Sequence, residues 1–120
     1  MAQHNQLGKK GEKLAVRHLK EKKFEILETN WQAHKFEIDI IAQDKNEIVF
    51  VEVKTRSTDF FGAPEESITL PKQKHLIEGA NYYLEKNEID LDARFDVVAI
   101  VMKSIPHINH IQEAFCPVLD

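Results

Sequence analysis

The stretch Phe36-Glu-Ile-Asp-Ile-Ile-Ala42, then Gln43-Asp-Lys-Asn46, then Glu47-Ile-Val-Phe-Val-Glu-Val-Lys-Thr55 decides the fold. Both outer runs are rich in β-branched residues, and the polar segment between them is short enough to close an antiparallel hairpin. Side chains alternate along a strand, so Glu37, Asp39 and Ile41 are expected on one face, with Phe36, Ile38 and Ile40 on the other. In the second strand Ile48, Phe50, Glu52 and Lys54 share a face, and Val49, Val51 and Val53 form an apolar row behind them. Pairing around the turn joins residues whose numbers sum to about 89 or 91. Asp39 then lies across from the Phe50–Glu52 region and Glu37 across from Glu52–Lys54.

Working outward, Leu7, Gly11, Leu14, Ala15 and Leu19 follow helical spacing, with Lys and Arg mostly between them, which predicts an amphipathic helix over Leu7–Leu19. Phe24–Trp31 reads as a strand. Ser57–Pro64 reads as a loop broken by Gly62 and Pro64. A second helix is expected from near Pro71, with Leu76, Ile77, Ala80, Tyr83 and Leu84 as its apolar face. After an acidic connection over Asn87–Ala93, Phe95–Met102 is the most hydrophobic strand and suits a position buried on both faces. Lys103–Pro106 turns the chain into a last strand, His107–Ala114. The order α, β, β, β, α, β, β predicts an α/β fold over residues 1–120, a mixed sheet of four or five strands flanked by helices in a single domain.

With 42% hydrophobic and 30% charged residues, the chain is neither disordered nor built for a lipid interior. No apolar run approaches the roughly 20 residues of a membrane helix. The start, Met1-Ala-Gln-His-Asn-Gln6, lacks the apolar centre of a signal peptide. The lone cysteine, Cys116, rules out an internal disulfide and disfavours a thiolate metal cluster. A cytoplasmic location without membrane contact is the expectation.

The net charge of -4 hides an asymmetry. Residues 1–23 carry seven Lys or Arg against Glu12 and Glu21, whereas residues 85–120 carry three basic and seven acidic groups. A phosphate backbone responds to the local field, screened over about 8–10 Å, so the first helix, through Lys13 and Arg17, is a candidate nucleic-acid contact. A solvated helix face is the competing use of the same charges.

Three carboxylates at one end of a hairpin repel one another, and burying them without compensation is costly. A divalent cation relieves this, because hard Mg²⁺ prefers carboxylate and carbonyl oxygens and water. Lys54 could then hold an attacking water or offset charge developing on a phosphate. A solvent-facing salt bridge between Lys54 and the acids is the plainer alternative.

Glu37-Ile38-Asp39, the run Val49-Phe50-Val51-Glu52-Val53-Lys54-Thr55-Arg56 and Arg94-Phe95-Asp96 resemble the YraN-type family of bacterial proteins. That family looks like a branch of the PD-(D/E)XK nucleases, whose core order α-β-β-β-α-β matches this one. The likeness runs from Gly8 to about Met102. It implies a restriction-endonuclease-like fold with Asp39, Glu52 and the backbone carbonyl of Val53 as metal ligands and Lys54 as the catalytic lysine. Glu12 matches a helix glutamate that archaeal Holliday-junction resolvases of this superfamily place at the site. Glu37 would be an accessory acid. Lys72 matches a basic position of the family, and Arg56 could bind a phosphate. One departure is Phe36, where the family usually carries glycine; by alternation it points away from the acids, so a packing change is expected rather than a lost site.

Together these readings predict a Mg²⁺- or Mn²⁺-dependent endonuclease-like protein acting on nucleic acid, DNA before RNA, and selective for structure rather than sequence. Related resolvases act as dimers, so a homodimer is one assembly the resemblance allows. The alternatives are a non-catalytic nucleic-acid-binding module on the same fold and a protein-interaction module. Arg94 and Asp96 read as a structural pair. Trp31, Tyr82 and Tyr83 read as core or rim residues rather than base-stacking platforms, and His107 and His110 fall on opposite strand faces, against a shared metal.

Overall fold

The computed structural model describes residues 2–57 and 68–116, with side chains from residue 6 onward. Its elements run α1 (Ala2–Glu21), β1 (Glu25–Ala33), β2 (Phe36–Asp44), β3 (Glu47–Arg56), α2 (Leu70–Lys86), β4 (Asp92–Val101) and β5 (His107–Phe115). The strands form one five-stranded sheet in the order β1-β2-β3-β4-β5. Neighbours are antiparallel except β3 and β4, which are parallel. A parallel pair needs a crossover, and the segment containing α2 supplies it. The expected mixed α/β architecture is present. Beyond Ser57, the loop expected over Ser57–Pro64 lies outside the described residues.

The two helices cover opposite faces. On one face Ala15 and Leu19 of α1 meet Ile40, Ala42, Val49, Val51, Val98 and Ile100. Buried positions in α1 recur every four residues at Gly11, Ala15 and Leu19, the spacing of one helical face. Gly11 faces Thr55 so closely that an added Cβ would collide with its side chain. This close approach seats the middle of α1 over the C-terminal half of β3. The other face packs Leu76, Ala80 and Tyr83 of α2 against Ile38, Ile41, Ile48, Phe50 and Phe95. Phe50 and Phe95 stack at 5.7 Å in that layer, and truncating Phe50 to alanine should cost about 3–5 kcal/mol.

Arg94 through Val101 are buried without interruption, as expected of a strand covered on both sides. Arg94 and Asp96 form the structural pair expected of them. The Arg94 guanidinium bonds Asp96 through Nε at 3.0 Å, Asp44 at 2.9 Å and Glu47 at 3.1 Å. Asp96 also accepts from the Glu113 amide at 3.1 Å and is bonded to His110 Nε2 at 2.8 Å. The β4–β5 register slips between Phe95 and Val97, and the Asp96 carboxylate fills the slip.

Most element ends differ from expectation by one or two residues, and some of the differences are informative. α1 begins at Ala2 rather than Leu7, because the polar first residues continue the helix without adding to its apolar spacing. Phe24 precedes β1 and is buried in the α1-side core. Its amide bonds the Leu19 carbonyl at 3.0 Å, closing the helix end. Asp92–Arg94, expected in a connection and strand start, already belong to β4.

Candidate functional site

The β2–β3 ladder has the 91 register, from Asp44↔Glu47 to Ile40↔Val51. On β3 the expected faces hold: Val49 and Val51 pack under α1 and Phe50 under α2. On β2 strict alternation fails. Ile38 and Ile41 lie on the α2 side, while Ile40 lies on the α1 side, so Phe36, Ile38 and Ile40 are not one row. The break has a physical cause. β1 pairs with β2 at Thr29↔Ile40 and Trp31↔Ile38, leaving Asn30 and Asp39 opposite each other and skipped. Asn30 has φ 51°, the left-handed region that asparagine tolerates better than most residues.

Freed from the regular pleat, Asp39 reaches β3 with its side chain. Its Oδ2 accepts the Val53 amide proton at 2.8 Å, beyond the last ladder pair. A residue's own N–H and C=O point to the same strand edge, so the Val53 carbonyl also faces the Asp39 side. Glu52 is 8% exposed. Two lysines approach its Oε2, Lys54 Nζ at 3.7 Å and Lys72 Nζ at 3.9 Å. Lys72 stands in the first turn of α2, whose start is fixed by Pro71 and by the Thr69 hydroxyl accepting the Lys72 amide at 3.3 Å.

Glu37, Asp39, Glu52 and Lys72 line one cavity of about 100 Å³, together with Asn30, Trp31, Gln32 and Ile38. That is room for an ion and a few waters. Glu37 is exposed and held by Gln32 Nε2 at 2.9 Å. A larger neighbouring groove of about 360 Å³ is lined by Lys9, Glu12, Lys13, Val16, Thr29, Asn30 and Ile40. Asn30 belongs to both and bonds the Glu12 carboxylate, so α1 and the acid cavity meet through it.

The electrostatics identify a site under tension. Burial pushes the Glu52 carboxyl up, Asp39 adds repulsion, and Lys72 and Lys54 oppose the rise. Burial also pushes Asp39 up, against the Val53 amide bond and both lysines, with Glu37 adding to the rise. Glu12 is raised by burial and by Asp39, against its Asn30 bond. Among the described residues no three His, Cys, Asp or Glu side chains gather into a ready metal cluster. The donors that fit an ion are two carboxylates, Asp39 and Glu52, and one carbonyl, Val53. This oxygen-only set suits a hard divalent cation that keeps several waters.

The remaining candidates divide. Lys54 and Lys72 are at the site. Glu12 stands beside it, in the groove. Lys13 lines that groove, while Arg17 is exposed and pairs with Glu21 at 3.9 Å. Arg56 is exposed at the end of β3 and is not among the residues lining the acid cavity. Phe36 turns to α2, where a Cβ on Gly79 would stand 3.3 Å from its own Cβ. It thus lies on the side where Glu52 meets Lys72 rather than pointing away as alternation predicts, because the pleat of β2 breaks at Asp39. It is not among the residues lining the acid cavity. Sequence reasoning missed Asn30. Its signal was an asparagine interrupting an otherwise strand-like run just before Trp31.

The Uncharacterised protein family UPF0102 model matches residues 11–100. The chain is similar to a UPF0102 protein of Christiangramia forsetii, 47% identical over 116 residues, covering 96% of this chain and 98% of the relative. A UPF0102 protein of Bacteroides thetaiotaomicron is 45% identical over 120 residues, covering 99% of each. UPF0102 protein FP2501 of Flavobacterium psychrophilum is 47% identical over 116 residues, covering 96% of this chain and 98% of the relative.

Proposed function

The chain belongs to this UPF0102, YraN-type family, and from its site we propose a metal-dependent nuclease of PD-(D/E)XK type that hydrolyses phosphodiester bonds in nucleic acid. The observation that carries this reading is the meeting of Asp39 and the buried Glu52 with the half-buried Lys54 and Lys72 at the place where β2 and β3 cease to pair. A plain salt bridge needs one acid and one base at the surface. Here two raised carboxylates adjoin a cavity with room for an ion and its water.

In this reading Asp39, Glu52 and the Val53 carbonyl hold Mg²⁺ or Mn²⁺. The chemistry supplied by such an ion is charge compensation and a more acidic water. The Val53 amide fixes the Asp39 carboxylate, so its free oxygen is aimed before substrate arrives. Lys54 leaves Glu52 to orient the attacking water and to offset charge on the phosphate as it develops. Lys72 holds a neighbouring phosphate oxygen, and Glu37 and Glu12 set the local field. Lys13, Arg17 and Arg56 contact the backbone away from the cut. Nothing in the cavity offers a base-specific set of donors, so selectivity rests on nucleic-acid shape, DNA before RNA. The fold assignment as restriction-endonuclease-like rests on the same grounds: the element order and the Asp39, Glu52, Lys54 arrangement.

The test is incubation with labelled single strands, duplexes, flaps and four-way junctions of DNA and RNA. Cleavage of at least one that requires Mg²⁺ or Mn²⁺ and stops with chelator is expected. Binding without cleavage of any would favour the non-catalytic module.

A further inference from the structure

We propose that the aromatic rim beside the acid cavity stacks an unpaired nucleobase, making the preferred substrate one with unpaired nucleotides next to the cut. This rests on the nuclease reading and specifies its substrate. Trp31 forms part of the cavity wall and is half-buried. Its aromatic neighbours meet it edge-on or tilted, Tyr83 at 87° and Tyr82 at 42°. The core pairs Phe50–Phe95 and Phe95–Phe115 instead stack at 27° and 21°. Tyr82 extends the rim away from the cavity, sharing a 3.1 Å hydrogen bond with His34 and a 6.0 Å ring contact with Phe36. Lys35 lies 5.8 Å over the Phe36 ring.

An aromatic strip that runs from a phosphate-binding cavity and carries cations at both ends, Lys72 and Lys35, complements a base with its flanking phosphates. Bases inside a duplex present only their edges, whereas an unstacked base offers the π face that such side chains take. A cavity of about 100 Å³ has room for an ion and a few waters but not for a base beside them, so the base must lie on the rim. The polar groups beside the rings are already engaged, Tyr82 with His34 and Gln32 with Glu37, so stacking rather than base-edge contacts carries the binding and any base would serve.

Trp31 is the only tryptophan in the chain, so its emission reports the rim directly. The probes are a single-stranded oligonucleotide of about ten residues, as DNA and as RNA, and a blunt duplex of equal length. The Lys54→Ala protein with Mn²⁺ prevents turnover. We expect both single strands, or one of them, to quench Trp31 and to bind tighter than the duplex. Tyr82→Leu should weaken single-strand binding roughly tenfold while leaving duplex binding within about twofold. Tyr82→Phe keeps the ring and should keep the affinity, and thermal melting confirms that both variants fold. Duplex binding without single-strand preference or quenching would overturn the rim and leave the nuclease reading standing. Binding of neither probe would overturn both.

Discussion

Asn30 and Asp39 face each other across β1 and β2 at a position that both strands skip. The left-handed backbone of Asn30, φ 51°, ends the regular pleat and frees Asp39 to bond the Val53 amide. Asn30→Gly should therefore fold with little change in stability, while Asn30→Val should cost about 1–2 kcal/mol. It should also loosen Glu12, which loses its bond to Asn30. Urea unfolding of both variants measures this.

Metal binding should stabilise the fold by mass action. Asp39→Asn keeps an oxygen for the Val53 amide but removes a charge from the ion. Millimolar Mn²⁺ should raise the melting temperature of the native protein by a few degrees and that of Asp39→Asn hardly at all. Equal stabilisation of both would move the ion elsewhere.

Asp39 and Glu52 titrate above their usual values of 3.8 and 4.5. A raised folded value means that the group favours the fold below its unfolded value, and this contribution is lost as pH rises through the folded one. Metal-free stability should thus lose a contribution from these two groups as pH climbs from about 4. Metal competes with those protons, so stabilisation by Mn²⁺ should grow over the same interval. Denaturant titrations with and without metal across that range test both slopes.

Asp96 behaves in the opposite sense. Its carboxyl is held below the usual range by His110, Arg94 and the Glu113 amide, which together outweigh its burial. Its stabilisation is present above the unfolded value of about 3.9 and is lost as pH falls through the lowered folded value. Asp96→Ala takes the carboxylate from His110 and leaves Arg94 with Asp44 and Glu47, and should cost about 1–3 kcal/mol. Cleavage by the surviving folded fraction should be unchanged per folded molecule, since Asp96 is not among the residues lining the acid cavity.

The hairpin was legible from its polar turn between two strand-like runs, with its register left between 89 and 91, and the β3 faces followed from period two. Lys72 was a candidate only through the family resemblance, because its contact with Glu52 joins α2 to β3, which local spacing does not bring together. β2 was not legible beyond Ile40, because alternation assumes an unbroken pleat and Asn30 breaks it from the neighbouring strand. The rim was read as core or rim because Trp31 and Tyr82 meet through β1 and α2, segments that local spacing does not bring together. Phe36 was misread from parity through the same break in β2, since it faces α2 as Glu52 does, and its seat on Gly79 is what accommodates its bulk.

The basic face of α1 should contribute sequence-independent affinity. Replacing Lys13, Arg17 and Lys20 with glutamate should weaken binding to all nucleic acids alike and flatten the salt dependence. Fluorescence anisotropy across a salt series would show an unchanged slope if that face is merely solvated.

The most direct test of the metal-dependent hydrolysis is single-turnover cleavage of the best-bound nucleic acid by the native protein and Lys54→Ala, with affinity measured in parallel. Lys54 is assigned a role that matters mainly as charge develops on the phosphate, so its loss should reduce the rate by roughly a hundredfold or more and change affinity only a few-fold. Equal cleavage rates for the two proteins, or no metal-dependent cleavage by the native one, would contradict the assignment.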